Sequence, residues 1–230
     1  MLMQKTQKRN ALDADITDLL REAIINREEF TPGSPLRIDA LASRFGVSHM
    51  PVRAALQRLE CEGLITALPN KGARVVDVNQ AFVSDIMDIR MQLESYLARR
   101  ATLRMTDNDL EMLSDLQLIH AQAVSSGDIQ DALTLNRAFH TAIHHIAGST
   151  DAILILDRHW RLIRALWRRY GPIPARFQAV IADHRQMLAA FMARDSEAAA
   201  ALAAAHTVRA KHSLLEAMNA ALGANENKDE

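Results

Sequence analysis

The sequence predicts a mainly α-helical protein: three short helices and a small β-hairpin, followed by an antiparallel bundle of about six helices. Three observations favour this fold class. Hydrophobic residues make up 49% of the 230 residues but aromatic residues only 4%, and the abundant Ala and Leu favour helices over strands. Apolar residues recur at helical spacing along most of the chain. Strand-like sequence is confined to residues 64–76.

Three helices are predicted in the first quarter of the chain. An apolar stripe from Ile16 to Ile24 marks the first helix, and the turn "TPGSP" separates it from the second. Gly46 is placed to end the second helix. Ser48 can cap the third helix, whose first turn contains Pro51, because a proline there has no helical N–H bond to lose.

A hairpin follows the third helix. The segment "LITALPNKGARVV" contains two short β-type runs, Leu64–Ala67 and Ala73–Val76, on either side of the turn "PNKG". Three helices and a hairpin in this order are typical of a winged helix-turn-helix. We therefore expect residues 10–77 to form such a domain.

The remainder of the chain is expected to be entirely helical. Candidate helices span residues 80–103, 107–125, 128–147, 151–170, 174–193 and 195–222, with glycines and prolines between them. Short connections make such helices neighbours in an antiparallel bundle. Residues 78–222 are therefore predicted to form a second, all-helical domain, and the polar residues 223–230 a disordered tail.

Composition excludes several classes of protein. The net charge is −1, so the chain has no strong overall positive field for nucleic acid. A single cysteine, Cys61, excludes an intramolecular disulfide and suits a reducing compartment. No apolar run reaches the ~18 residues of a membrane span, and "MLMQKTQKRN" does not have the apolar core of a signal peptide. We expect a cytoplasmic protein with no membrane partner.

The third helix has an outward face suited to DNA. If its apolar stripe faces the core, the opposite face carries His49, Met50, Arg53 and Gln57. Arginine reads guanine and glutamine reads adenine in the major groove. Ser48 and the first-turn amides can hold a phosphate, and Lys71 at the hairpin tip can reach the DNA backbone or minor groove. Periodicity alone equally allows an ordinary solvated face.

The segment "PGSPL…LASRFGVSHMPVRAALQRLECEGLITALPNKGARVV" resembles the DNA-binding domain of the GntR family of bacterial transcription regulators. The resemblance covers about residues 30–76 and implies a winged helix that reads DNA with Ser48, Met50, Arg53, Lys71 and Gly72. His49 and Ala54 depart from that pattern, which usually has Arg and Glu there, and the change implies a different operator preference. One recognition helix reads few bases, so we expect a homodimer on a palindromic operator.

Histidines in the helical domain suggest a metal site. Asn136 and His140 lie four residues apart in "NRAFHTAIHH" and share one helix face. His184 and His206 each lie 11 residues from Asp195, so a chain reversal there places them side by side. Three imidazoles and an amide oxygen suit Zn²⁺ or another divalent transition metal. The alternative is a set of ordinary hydrogen-bonded core histidines.

Residues 80–215 resemble the FCD effector-binding domain of the FadR branch of the GntR family, through "IRMQLESYLARRAT", "NRAFHTAI" and "DHRQMLAAFMARDSEAAAALAAAH". The resemblance implies metal ligands at His140, His184 and His206, with Asn136 where the family commonly has Asp. It also implies that Arg90 meets the carboxylate of an organic-acid effector, although Arg90 can instead pair with Glu94. His144, one turn after His140, can line the same pocket.

These observations predict a DNA-binding transcription regulator, expected to be a repressor, whose operator affinity is controlled by a small organic acid. An alternative is a DNA-binding protein whose helical bundle only dimerises and senses no effector. An enzyme is not expected, because no carboxylate is placed by motif as a general base beside the histidines and a DNA-binding domain would then have no purpose.

Overall fold

The computed structural model describes residues 16–26, 29–68, 72–171 and 174–226. It confirms the mainly α-helical class. The chain divides into two compact units. The first contains the described residues up to Phe82 together with Trp160–Arg169, and the second contains Val83–His159 and the described residues from Tyr170 onward.

Three helices form the body of the first unit. Helix α1 is described over residues 16–26, and α2 (Ile38–Phe45) and α3 (His49–Cys61) follow. Gly46 ends α2 in the left-handed conformation, with φ of 63°, as expected of a glycine C-cap. Ser48 occupies the N-cap position of α3, but its side chain makes no capping hydrogen bond. The core residues of these helices include Leu20, Ile24, Val52, Ala55 and Leu59.

A three-stranded antiparallel sheet completes this unit. Strands β1 (Pro35–Leu36), β2 (Ile65–Leu68) and β3 (Gly72–Val75) are arranged in the order β1-β3-β2. The hairpin β2–β3 is the expected wing, whereas β1 was not expected from the sequence, because two residues are too few to show a period. Gly72 has a φ of +84°, and a Cβ there would lie 2.2 Å from the Leu36 carbonyl oxygen, so this position requires glycine. Lys71 lies outside the described residues.

A buried carboxylate ties the first unit together. Glu62 follows α3 and its side chain is 2% exposed. Both of its oxygens accept hydrogen bonds from Arg21 of α1, at 2.7 and 2.9 Å. Arg161 donates a further bond to Glu62 at 2.9 Å. Two guanidinium groups therefore balance one desolvated carboxylate.

In the described part of the chain six helices follow the sheet: α4 (Gln80–Thr102), α5 (Asp107–Ser126), α6 (Ile129–Ala147), α7 (Thr150–Tyr170), α8 (Pro174–Met192) and α9 (Ser196–Glu226). Thr106 and Asp109 form a reciprocal capping box at the start of α5. Asp128 and Asp195 cap α6 and α9 through bonds from backbone N–H groups. Helix α9 continues through residues 223–226, within the predicted tail, and residues 227–230 lie outside the described part.

The core of the second unit positions its histidines. Helix α5 packs on α6 and α8, and α8 packs on α9. The hydrophobic core of this unit includes the fully buried side chains of Leu97, Leu113, Phe139, Leu156 and Phe191. The inward faces of α6, α8 and α9 therefore meet at one place. Within the described residues, none of the helices is long and apolar enough to cross a membrane.

Candidate functional site

Helix α3 presents a polar face to solvent. Val52 and Leu59 are fully buried, whereas Arg53 and Gln57 are exposed one turn apart and Met50 is 71% exposed. His49 is also exposed, and its Nε2 lies 3.2 Å from the Asp39 carboxylate of α2. The four residues of α3 that the sequence predicts for contact with bases are therefore all exposed.

Arg53 and Gln57 line a groove between α2, α3 and the sheet, together with two arginines that the sequence analysis missed. Arg37 stands at the N-cap position of α2. Arg74 lies in β3 between two buried residues, so it faces outward, and it donates to the Gly33 carbonyl at 3.2 Å. Strand alternation was the signal for Arg74. Guanidinium groups at a groove edge are suited to phosphate contacts.

Three histidines converge in the second unit. His140 of α6, His184 of α8 and His206 of α9 are at most 6% exposed. Their ring centroids lie 5.0–5.1 Å apart, and the Nε2 atoms of His140 and His184 are 3.3 Å apart. One nitrogen from each ring lies within 4.8 Å of the other two. The chain reversal at Asp195 predicts that His184 and His206 lie side by side, and their ring centroids are 5.1 Å apart.

Hydrogen bonds fix the tautomer of His184. Gln117 Nε2 donates to the Ile181 carbonyl at 3.2 Å, so the Gln117 amide oxygen is the atom that faces His184. That oxygen lies 3.0 Å from His184 Nδ1, which must therefore carry the proton. The lone pair of His184 is then on Nε2, directed toward His140.

Asp183 orients His206 in the same way. His206 Nδ1 donates to the Asp183 carboxylate at 3.0 Å, which leaves the lone pair on Nε2. Arg209 holds the same carboxylate through bonds of 2.6 and 3.0 Å. Carboxylate and amide partners of this kind commonly hold metal-binding imidazoles in position. Neither Asp183 nor Gln117 was predicted from the sequence, although Asp183 stands directly before His184 in the chain.

The residues present fit a divalent transition metal ion. Burial lowers the pKa of His140, His184 and His206, so all three imidazoles are neutral near pH 7 and have lone pairs to donate. Asn136 lies one turn before His140. Its buried Oδ1 has no hydrogen-bond partner among the described residues, which leaves an oxygen for an ion.

Arg90 and His144 meet at a buried glutamate beside this cluster. Glu94 accepts a bond from Arg90 at 2.6 Å and from His144 Nε2 at 2.7 Å. Arg90 is 5% exposed and also donates to the Leu156 carbonyl at 3.3 Å. The sequence allows Arg90 either to bind an effector or to pair with Glu94. The structure shows a buried ion pair between Arg90 and Glu94.

The charge of Glu94 is stabilised by its neighbours. Burial opposes its ionisation, but the interactions of Glu94 with His144 and with the Arg90 guanidinium hold the pKa of Glu94 well below its usual value. His140 Nδ1 lies 3.9 Å from the same carboxylate. Glu94 therefore connects the three-histidine cluster to Arg90.

His120 and Arg176 are two further polar residues near the cluster that the sequence analysis missed. His120 is fully buried, and its ring centroid lies 5.4 Å from that of His184. Burial, with a smaller contribution from the electrostatic interaction with His206, lowers the pKa of His120 to about 4. Burial also lowers the pKa of Arg176 to about 10. His120 is the only histidine in the stretch "LQLIHAQAV", so residue spacing could not predict that it lies near the other histidines.

The chain matches two families. Residues 12–75 match the family described as bacterial regulatory proteins, gntR family, and residues 85–209 match the FCD domain. The two matches coincide with the three-helix and wing region and with the helices that carry the histidines.

Several known regulators are similar to this chain. The HTH-type transcriptional regulator McbR of Escherichia coli K12 is 32% identical over 175 residues, which cover 72% of this chain and 76% of McbR. The HTH-type transcriptional repressor GlaR of the same strain is 30% identical, covering 79% of this chain and 86% of GlaR. The solved structure of E. coli McbR/YncC superposes with a TM-score of 0.67 at 25% identity, covering 89% of this chain and 97% of that one.

Proposed function

Because this chain belongs to the GntR family of bacterial transcription regulators and carries an FCD domain, we propose that it is a metal-dependent, acid-responsive repressor. It binds operator DNA as a homodimer, and a small organic acid bound with a divalent metal ion controls its operator affinity. The observation that supports this proposal most strongly is the convergence of His140, His184 and His206.

DNA recognition is assigned to the exposed face of α3 and to the wing. Arg53 and Gln57 are the residues that read base edges, because their side chains are exposed one turn apart on a helix with a buried opposite face. Ser48, His49 and Met50, which are exposed at the start of α3, are assigned to contacts with the same groove of the DNA. Gly72, with Lys71 of the wing tip, contacts the DNA backbone or the minor groove.

The metal ion is assigned to His140, His184, His206 and Asn136. Gln117 and Asp183 support this assignment, because each accepts a hydrogen bond from Nδ1 of its imidazole and so leaves the lone pair on Nε2 for a metal ion. A bound ion supplies positive charge and coordination positions for an external carboxylate. Zn²⁺ is the ion that this nitrogen-rich set suits best.

The effector is assigned to the space beside these ligands, with Arg90 and His144 on its border. An acid that replaced Glu94 as the partner of Arg90 would release Glu94 toward His140, which is a physical route from effector to metal site. If the effector and the operator favour different arrangements of the two DNA-binding domains of the dimer, binding of the effector lowers the affinity for the operator. The existing Arg90–Glu94 pair also supports the alternative of a bundle without an effector, since the guanidinium already has a carboxylate.

The metal assignment is tested by metal analysis of protein purified with and without EDTA, followed by thermal unfolding with sugar acids, hydroxy acids, dicarboxylates and aromatic acids. A ligand that binds only the folded state raises stability by about 2.7 kcal/mol at a hundredfold excess over Kd. We expect a rise in Tm for at least one acid and loss of that rise in EDTA. A rise in Tm that persists in EDTA would contradict the metal assignment but support an acid effector. No rise in Tm for any acid would favour the alternative of a helical bundle that binds no effector.

His184→Ala is the variant for this experiment, and His212→Ala is its matched control, because His212 is exposed on α9. His184→Ala should reduce the bound metal and the acid response together, while His212→Ala should change neither. A fully metallated His184→Ala protein would refute the ligand assignment.

A further inference from the structure

His120 is a buried histidine that the proposed metal set does not use. Its relative exposure is 0%, and neither ring nitrogen has a hydrogen-bond partner among the residues described. An imidazole taken out of water without new partners destabilises the folded protein. Buried polar groups are nearly always paired, so an unpaired one points to a ligand that supplies the missing bonds.

The position of His120 places it at the histidine cluster. Helices α5 and α6 are consecutive and pack together. His120 stands six residues before the end of α5 at Ser126, and Asn136 seven residues after the start of α6 at Ile129. In an antiparallel helical hairpin these two residues share one level. Both have unpaired buried polar atoms, and the His120 ring is 5.4 Å from that of His184.

The charge of the site indicates what kind of ligand is missing. The metal ligands assigned above are three neutral imidazoles and an amide, so a divalent ion would keep its full charge. The nearby carboxylates of Glu94 and Asp183 already have arginine partners, Arg90 and Arg209. A buried positive charge needs a counterion. The ligand that completes the site is therefore an anion.

Arg176 adds to the positive charge near His184 and His206. Burial is the main cause of the low pKa of both histidines, and the charge of Arg176 lowers it further. Arg176 is only partly exposed. Its side chain makes no hydrogen bond to any residue in the described part of the chain. An anion next to His184 would be attracted by this guanidinium as well as by the metal ion.

We propose that His120 is a further ligand-binding residue of this site, donating a ring N–H to the carboxylate of an anion that completes the metal coordination beside His184. The proposal rests on the proposed function, because it needs the metal ion. It adds a residue that recognises the anion and does not hold the metal. Anion binding supplies a hydrogen-bond partner to His120, which has none among the described residues.

The test uses the full chain loaded with Co²⁺, whose visible spectrum reports changes in coordination, and acetate as the simplest carboxylate. His120→Phe keeps an aromatic ring of similar shape but no ring nitrogen. For His120→Phe we expect a Co²⁺ affinity within about threefold of that of the original protein. The acetate midpoint, which is the acetate concentration that gives half of the spectral change, should rise about tenfold, because one hydrogen bond to a charged group is lost. His120→Gln, which restores an N–H donor, should recover most of the acetate affinity.

His159→Phe is the matched control, because His159 is also buried with an unpaired Nδ1, yet its ring makes no contact with the cluster. It should leave the acetate midpoint unchanged. In EDTA, His120→Phe should unfold at the same or a higher temperature, since an unsatisfied polar group has been removed. A purely structural role for His120 predicts a lower Tm.

Four results would overturn the proposal. An acetate midpoint unchanged in His120→Phe, or no acetate effect on the original Co²⁺ protein, would remove the anion contact while leaving the proposed metal site intact. Loss of Co²⁺ binding in His120→Phe would make His120 a metal ligand instead. Failure of the original protein to bind Co²⁺ would overturn the metal site of the proposed function as well.

Discussion

Acidification from pH 7 to 5 should destabilise the metal-free protein through its buried neutral histidines. The pKa of both His120 and His159 is lowered from 6.5 to about 4, chiefly by burial. Both side chains are at most 3% exposed. The unfolded chain therefore takes up protons at these residues well before the folded protein does, and stability present above pH 6.5 is lost as the pH falls toward 4.

The size of the effect follows from these two pKa values. Each histidine contributes a loss of about 2 kcal/mol between pH 7 and 5, and about 3 kcal/mol by pH 4. The two together give a loss of about 4 kcal/mol at pH 5, a large fraction of the ~5–15 kcal/mol that stabilises a typical protein. His140, His184 and His206 act in the same direction, because burial lowers the pKa of each.

The assay is urea unfolding in EDTA at pH 7, 6 and 5, comparing the original protein with His120→Phe and with His145→Phe. His120→Phe should lose about 2 kcal/mol less on acidification, because one of the buried histidines with a lowered pKa has been removed. His145 is exposed, so its variant should behave like the original. A free energy of unfolding that is flat from pH 7 to 5 would refute the reasoning, as would equal losses in all three proteins.

Three further predictions concern single side chains. Arg53→Ala should weaken operator binding by about 1–3 kcal/mol and relax discrimination at one base pair. If fluorescence anisotropy gave the same Kd values for operator variants as with the original protein, Arg53 would not be a base-contacting residue. Gln117→Leu should lower metal affinity by about 10–100-fold, because His184 loses the side chain that orients it. Competition for the metal with a chromophoric chelator measures this affinity, and an unchanged value would contradict the prediction. Glu62→Ala should cost about 3–5 kcal/mol of unfolding free energy, because the buried Arg21 loses both of its hydrogen bonds to Glu62 and keeps, among the described residues, only the exposed Asp18 as a partner; a loss below 1 kcal/mol in urea would contradict this.

Much of the fold could be predicted because its signals are local. Gly46 ends α2 through a conformation that glycine adopts readily, and Thr106 starts α5 with a capping box. These signals depend only on near neighbours in the chain. Strand β1 escaped prediction because its two residues form a strand only by pairing with β3, about 40 residues later.

The candidate site could be predicted only where sequence spacing determines distance. His184 and His206 were paired correctly in space because a reversal at Asp195 places them on facing helices. Gln117 could not be recognised, since its role depends on α5 packing against α8. The same limit applied to Arg90: a pair four residues apart is visible in the sequence, but its burial with Glu94 is not.

The most direct test of the account is the operator affinity of the metal-loaded protein across the panel of organic acids. Fluorescence anisotropy on a DNA site selected by the protein itself gives this Kd, and EDTA-treated protein provides the comparison. The account predicts that at least one acid changes Kd by about fivefold or more, and that EDTA removes the change. The same Kd with every acid, with or without EDTA, would contradict it.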